Sequence, residues 1–277
     1  MKNYIIGGRG RLGRALATEY ASSNPNVIDR SIYEGWSKVS AADQVCRYFE
    51  QYAGGKSTVF VASGLLDPGA APEDLMAVNY ALPKNIIDAA SKIGIKVITF
   101  GTVMEGLLQS RNPYVRSKTE LSNYVDMKTD SRGLIKHIQL HTLYGISIPS
   151  PFMFLGQMLL AIKDDRPFQM TSGRQLREYH HLEDEAVAIR LIADSSISGV
   201  IDLSHGMPVS LKSIAWSVFK ALGKSHLLRL GALPEPAEEN YDRVFQVNKL
   251  IAEIKFRDPL TGINAYMKHC FAAVGRE

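Results

Sequence analysis

The stretch that most constrains this chain is its opening. Tyr4-Ile5-Ile6 is an apolar run with strand character, and it breaks into Gly7-Gly8-Arg9-Gly10-Arg11-Leu12-Gly13. A helix is predicted directly after it, over Arg14 to Ser22. Gly8, Gly10 and Gly13 fit G-x-G-x-x-G, while Gly7, Gly10 and Gly13 fit the wider G-x-x-G-x-x-G. Either spacing lets backbone amides and a helix N-terminus approach a pyrophosphate. A glycine-rich turn alone says little, but this one follows a strand and starts a helix, as that mechanism requires. Gly7, Arg9, Gly10, Arg11, Leu12 and Gly13 are therefore the expected dinucleotide-binding loop.

The next strand, Asn26-Val27-Ile28, ends at Asp29, about 20 residues after the loop, where an acid suits the two ribose hydroxyls of NAD. A 2′-phosphate prefers arginine, and both Arg9 and Arg30 could reach one. The cofactor is thus NAD or NADP, with a lean to NAD.

Further along, Ala41 to Tyr52 has amphipathic helical spacing, with Val45, Cys46 and Phe49 inward. Thr58 to Ala62 is a β-branched strand closed by Ser63-Gly64. Pro72 to Ile93 is helical, Lys96 to Phe100 a strand, Tyr114 to Asp126 a helix and Ile135 to Leu140 a strand. Strands alternating with helices predict an α/β fold, a doubly wound parallel (Rossmann) sheet. At 277 residues there is room for that domain and a smaller lobe. A net charge of +4 suits anionic small ligands and gives no case for nucleic acid. Cys46 and Cys270 make no disulfide framework, so a reducing cytoplasm is expected. The apolar run after Met1-Lys2-Asn3 is too short for a secretory leader. The longest apolar stretch, Pro151 to Ile162, is interrupted by Gly156 and Gln157 and cannot span a bilayer, so no membrane is expected.

Chemistry is suggested by Asn112-Pro113-Tyr114-Val115-Arg116-Ser117-Lys118. Tyr114 and Lys118 lie one turn apart on one helix face, and a cation beside a phenol favours the phenolate. A second pair, Tyr124 and Lys128, has the same spacing. It lies ten residues on, roughly 80° around the helix, beside a polar run from Lys128 to Gly133 that should end the helix.

These pieces resemble the extended short-chain dehydrogenases/reductases that act on nucleotide sugars, along nearly the whole chain. The resemblance is carried by Gly7-x-x-Gly10-x-x-Gly13, Asn79 in Ala77-Val78-Asn79-Tyr80, Phe100-Gly101-Thr102, and Pro113-Tyr114-x-x-Ser117-Lys118. Leu143-Tyr144-Gly145 and Arg177-Glu178-Tyr179-His180-His181-Leu182-Glu183-Asp184 follow in family order. It implies Tyr114 as proton donor and acceptor, and Lys118 as holder of the nicotinamide ribose that also lowers the tyrosine pKa. It implies Thr102 as hydrogen-bond partner of the reacting oxygen, although a strand-end hydroxyl can instead cap a loop. Ala62, Ser63, Gly64 and Asn79 would line the cofactor, and Arg177 would grip the diphosphate of the sugar nucleotide. A homodimer is the expected assembly.

Departures matter too. Val103-Met104 stand where 4,6-dehydratases place Asp-Glu, so dehydration lacks its acid and base. Gln139 and Thr142 replace an arginine and an asparagine before the Tyr-Gly turn, and Arg243 could substitute for a late arginine that is Ala237 here. The expected activity is hydride transfer to a 4-keto nucleotide sugar. Epimerisation with tightly bound NAD is the alternative, and a non-catalytic NAD(P)-binding regulator is the reading from another class. The expected division is 1–145 plus 182–206 for the dinucleotide domain, and 146–181 plus 207–277 for the lobe that binds the nucleotide sugar. No metal site is expected: adjacent His180 and His181 point to opposite faces of a strand, and His137 and His141 would lie about 13 Å apart.

Overall fold

The computed structural model describes residues 2–53, 56–106, 111–128 and 132–275. Thr129, Asp130 and Ser131, in the polar run predicted to end a helix, lie outside them. The chain divides into two compact units, Met1–Leu140 with Ala186–Leu203, and His141–Glu185 with Ser204–Glu277.

The first unit is built on six parallel strands. Their spatial order is Gly199–Asp202, Ile135–Leu140, Lys96–Thr102, Ser57–Val61, Lys2–Ile6 and Asn26–Ile28. The opening strand has the second on one side and the third on the other, so the winding reverses there. Such a reversal opens a crevice at the carboxyl ends of the strands, where open α/β sheets bind ligands. The Gly7 loop leaves one of these ends and the Ala62–Ser63–Gly64 loop the other, and the Ala62 N–H donates to the Ile6 carbonyl at 2.9 Å. The central strands are buried on both faces, hence their continuous β-branched and apolar runs.

Lys136 is a fully buried lysine inside a strand. Its ammonium donates to the Ser195 carbonyl at 2.8 Å, and Lys96 donates to the Ala193 carbonyl at 2.6 Å. Both lysines satisfy carbonyls at the C-terminus of the Leu182–Asp194 helix, where the helix dipole favours cations. Burial pushes the Lys136 pKa down to about 8.

In the second unit, short strand pairs hold the backbone: Thr142–Tyr144 runs parallel to Tyr179–His181, and Val209–Ser210 antiparallel to Leu176–Arg177. Helices Phe154–Lys163, Leu211–Ala221 and Pro259–Val274 contribute Met158, Ile162, Phe219 and Met267 to its apolar core.

Candidate active site

The glycine loop has the shape its spacing requires. Gly7 has φ +81°, and a Cβ there would lie 2.4 Å from the Ser63 nitrogen. A Cβ on Gly13 would lie 2.3 Å from the Gly7 carbonyl oxygen. The helix therefore begins earlier than expected, at Arg11, with Gly10 as its N-cap. Among the described residues no side chain caps that end, and a helix N-terminus of this kind can present backbone amides to an anion. Leu12 lies in its first turn, partly covered. These features fit a dinucleotide pyrophosphate.

Asp29 caps the short Arg30–Tyr33 helix by accepting the Ser31 N–H at 3.0 Å. Its carboxyl is held below its ordinary pKa first by that backbone hydrogen bond, then by the Ser31 hydroxyl and Arg9. Arg9 reaches Asp29 at 2.7 Å, so the two residues proposed for opposite cofactor preferences neutralise each other. Arg30 is exposed.

Asn79 sits in a π-helical turn, Ala77–Ala81, a distortion often found at functional sites. It is 0% exposed. Its amide clamps both polar groups of Leu65, accepting the N–H at 2.9 Å and donating to the carbonyl at 3.0 Å. It also donates to the Ser117 hydroxyl at 3.1 Å, and Ser117 donates to the Tyr114 carbonyl at 2.7 Å. Asn79 thus joins the loop after the third strand to the helix carrying Tyr114.

That helix runs Pro113–Met127. Asn112 caps it by accepting the Tyr114 N–H at 2.9 Å, and Pro113 takes the first position, where its missing N–H costs nothing. Lys118 is buried and donates to the Phe100 carbonyl at 2.8 Å. A Cβ on Gly64 would lie 3.8 Å from its Nζ. Burial lowers the Lys118 pKa to about 8, against an opposing pull from the Glu105 charge.

Tyr114 corrects an expectation. Its pKa is raised to about 12, chiefly by burial and then by Glu105, not lowered by Lys118. The ammonium is engaged with Phe100, while the nearby fixed charge that acts on the phenol is negative.

Glu105 is the residue that reading by resemblance passed over. It is 7% exposed and accepts the Thr102 N–H at 2.7 Å, the Gln139 amide at 3.0 Å and His137 Nε2 at 3.2 Å. The other ring nitrogen of His137 meets the Thr99 hydroxyl at 2.8 Å. A Cβ on Gly101 would lie 2.1 Å from Glu105 Oε1 and 2.2 Å from His137 Nε2, so glycine there makes room for the pair. A sequence signal existed: Thr102-x-x-Glu105 is a capping box. Thr102 Oγ1 accepts the Met104 N–H at 3.3 Å while Glu105 reaches back to the Thr102 N–H. The Thr102 hydroxyl therefore caps the Val103–Gly106 turn.

The residues expected to contact substrate fall in the second unit, apart from Thr102. Thr142 is in a strand and donates its N–H to the Glu178 carbonyl at 3.0 Å. Arg177 is paired with Glu239 and also donates to the Leu176 carbonyl at 2.9 Å. The Arg243 guanidinium lies 4.4 Å from the Phe245 ring centroid. Its backbone exchanges hydrogen bonds with Asn240, at 2.8 and 2.9 Å.

A glycine-cradled anion site, a reversal of sheet winding and a Tyr–Lys pair with its lysine buried fit a nicotinamide-dependent enzyme of the Rossmann class. The sequence model of the NAD dependent epimerase/dehydratase family matches residues 3–202, and the chain belongs to that family. No curated protein matches it. Among solved structures it is similar to the UDP-glucose 4-epimerase of Thermus thermophilus in complex with NAD, with a TM-score of 0.73 and 18% identity over 99% of this chain and 100% of that one. It is also similar to a dTDP-4-dehydrorhamnose reductase from Clostridium acetobutylicum, with a TM-score of 0.73 and 18% identity over 97% and 99%. A third is the UDP-N-acetylglucosamine 4-epimerase of Methanobrevibacter ruminantium, with a TM-score of 0.75 and 16% identity over 99% and 98%. At these identities the likeness is one of fold. Among the described residues no helix is long and apolar enough to cross a membrane.

Proposed function

We propose that this chain is a nucleotide-sugar oxidoreductase that reduces a 4-keto sugar, with Tyr114 giving its proton to the ketone oxygen. The observation that carries the reading is the Tyr114–Lys118 pair at the start of a helix whose position is tied to the sheet. Lys118 is fixed on Phe100, and Ser117 is joined through Asn79 to Leu65. Reduced nicotinamide, when bound, supplies the hydride for the carbonyl carbon. The Gly7–Gly13 loop would hold its pyrophosphate, and Asp29 and Lys118 its two riboses. Tyr114 returns to its protonated form from solvent after each turnover. Val103-Met104 put no carboxylates directly after Thr102, and Glu105 is turned back into the capping box, which disfavours dehydration. Arg177 is the cation proposed for the sugar nucleotide's diphosphate, because a planar guanidinium matches phosphate oxygens in pairs.

The test is a turnover screen of 4-keto nucleotide sugars with NADH and NADPH. Oxidised cofactor should appear mole for mole with reduced sugar. Interconversion of a nucleotide sugar with its epimer, without net change in reduced cofactor, would overturn the reductase reading in favour of an epimerase. Within the same assay, Asp29→Ala should shift relative use towards NADPH, because the carboxylate that repels a 2′-phosphate is gone and Arg9 is released. A wild-type enzyme already preferring NADPH by tenfold, about 1.4 kcal/mol, contradicts the NAD lean.

A further inference from the structure

The alternation that separates His180 from His181 also places Glu178 and His180 on one face. The neighbouring strand runs parallel with Thr142 opposite Tyr179, which brings His141 alongside Glu178. Ligand atoms of His141, Glu178 and His180 all lie within 4.8 Å of one another, and all three residues are buried. His180 Nε2 is 3.3 Å from Glu178 Oε2. Two ligands about 2.1 Å from a tetrahedral ion are about 3.4 Å apart. The ring centroids of His141 and His180 are 5.1 Å apart with 25° between their planes.

The surroundings match those of a metal ligand. His180 Nδ1 is 2.6 Å from Glu185 Oε2, the carboxylate support that orients a ligating imidazole. Glu178 Oε1 accepts the Ser204 hydroxyl at 2.7 Å, and Oε2 accepts the His205 N–H at 3.0 Å. Phe245 packs against His141 and Phe256 against His180, with centroids 5.0 and 5.3 Å apart. Among the described residues, the buried Glu185 Oε1 has no hydrogen-bond partner. Glu178 and Glu185 are both 2% exposed or less and flank the two ring nitrogens of His180, and a divalent cation among these groups would offset buried carboxylate charge.

We propose that His141, Glu178 and His180 bind a divalent transition ion of the zinc class, the donor set of two imidazoles and a carboxylate being one such ions accept. The ion would cross-link the paired strands, the first turn of the Leu182–Asp194 helix and the Ser204–His205 segment within the second unit. This inference stands apart from the proposed reaction.

Full-length protein, unfolded with chelator and refolded in metal-free buffer, would be titrated with Co²⁺ and then Zn²⁺. One equivalent of Co²⁺ per chain, with visible ligand-field bands that Zn²⁺ abolishes, is expected. His141→Gln and Glu178→Gln should each weaken binding at least about tenfold, while His226→Gln, on the surface, should not. The proposal is overturned if wild-type protein takes up neither ion. It is equally overturned if both site variants bind as wild type does, or if nitrogen NMR of labelled histidine shows both His180 ring protons retained with Zn²⁺ present. The wild-type measurements decide the matter even if a variant fails to fold.

Discussion

Two tyrosine–lysine pairs of identical spacing occupy the Pro113–Met127 helix and the residue after it, and they have opposite fates. Tyr124 donates its hydroxyl to Asp88, which also binds Lys128 at 2.7 Å and Lys84 at 2.8 Å. The two ammonium groups sit 5.2 and 5.1 Å from the Tyr124 ring centroid. Tyr124 is raised to about 12, first by burial and then by Asp88, and Lys128 is raised chiefly by its bond to Asp88. Tyr114 has the same raised pKa, yet among the described residues none takes its hydroxyl, and its lysine is lowered by burial rather than raised by an acid. Phenol acidity in the resting protein does not separate the pairs. What separates them is whether the hydroxyl is already committed and where the lysine is anchored: on the half-buried Asp88 carboxylate, or on a carbonyl at the end of a central strand.

The largest expected effect is the direct contrast. Tyr114→Phe should lower turnover by ~10²–10⁴-fold, the usual worth of a positioned general acid, with folding and cofactor binding kept. Tyr124→Phe should change turnover by less than about threefold. A dead Tyr124→Phe enzyme beside a healthy Tyr114→Phe one would invert the assignment.

Smaller is the effect of Glu105→Gln, which keeps an acceptor for the Thr102 N–H and removes the charge. The Tyr114 pKa should fall, and carbon NMR of ring-labelled tyrosine, with the signal identified by its loss in Tyr114→Phe, would report it without any substrate. Each unit of fall is worth a factor of ten in phenolate at fixed pH. No movement would mean that burial alone sets the value.

Asp88→Asn should cost on the order of 1 kcal/mol of stability, discounted for partial solvent screening, and leave turnover unchanged. The sign with pH follows from its depressed value of about 2 against an ordinary 3.8. Asp88 stabilises the fold fully above about pH 4, and that stability is lost as pH falls through 2. Urea unfolding at pH 7 and pH 2 should therefore show the mutant's deficit shrinking in acid. Of similar size, Tyr124→Phe should lose about 1 kcal/mol, one hydrogen bond to a charged acceptor reduced by partial solvent screening, measured by the same unfolding curves.

Much of the first unit was legible because its signals are local. A glycine is demanded at Gly7 by backbone angle and at Gly13 by close approach, and buried parallel strands need continuous apolar runs; spacing along the chain records all of this. The helix start at Arg11 rather than Arg14 was missed because an uncapped N-terminus carries no polar side chain to mark it. Glu105 lies one position beyond the two residues after Thr102 that the resemblance makes diagnostic, although Thr102-x-x-Glu105 spells a capping box. Arg177 could be named as a cation from its place in the run, but not its pairing with Glu239, 62 residues away. Equally, alternation correctly put His180 and His181 on opposite faces and said nothing of His141, which reaches Glu178 only through strand pairing.

By itself, then, the sequence determined the alternating strand–helix order, the anion-binding turn and the one-turn spacing of Tyr114 and Lys118, because each depends on neighbours within a few residues. Only the tertiary structure decided which tyrosine keeps an uncommitted hydroxyl, that the charge acting on it is Glu105, and that two glutamates and three histidines are buried together in the second unit. Those outcomes depend on burial and on contacts between distant segments, where desolvation and Coulomb energy act on whichever groups the packing brings within reach.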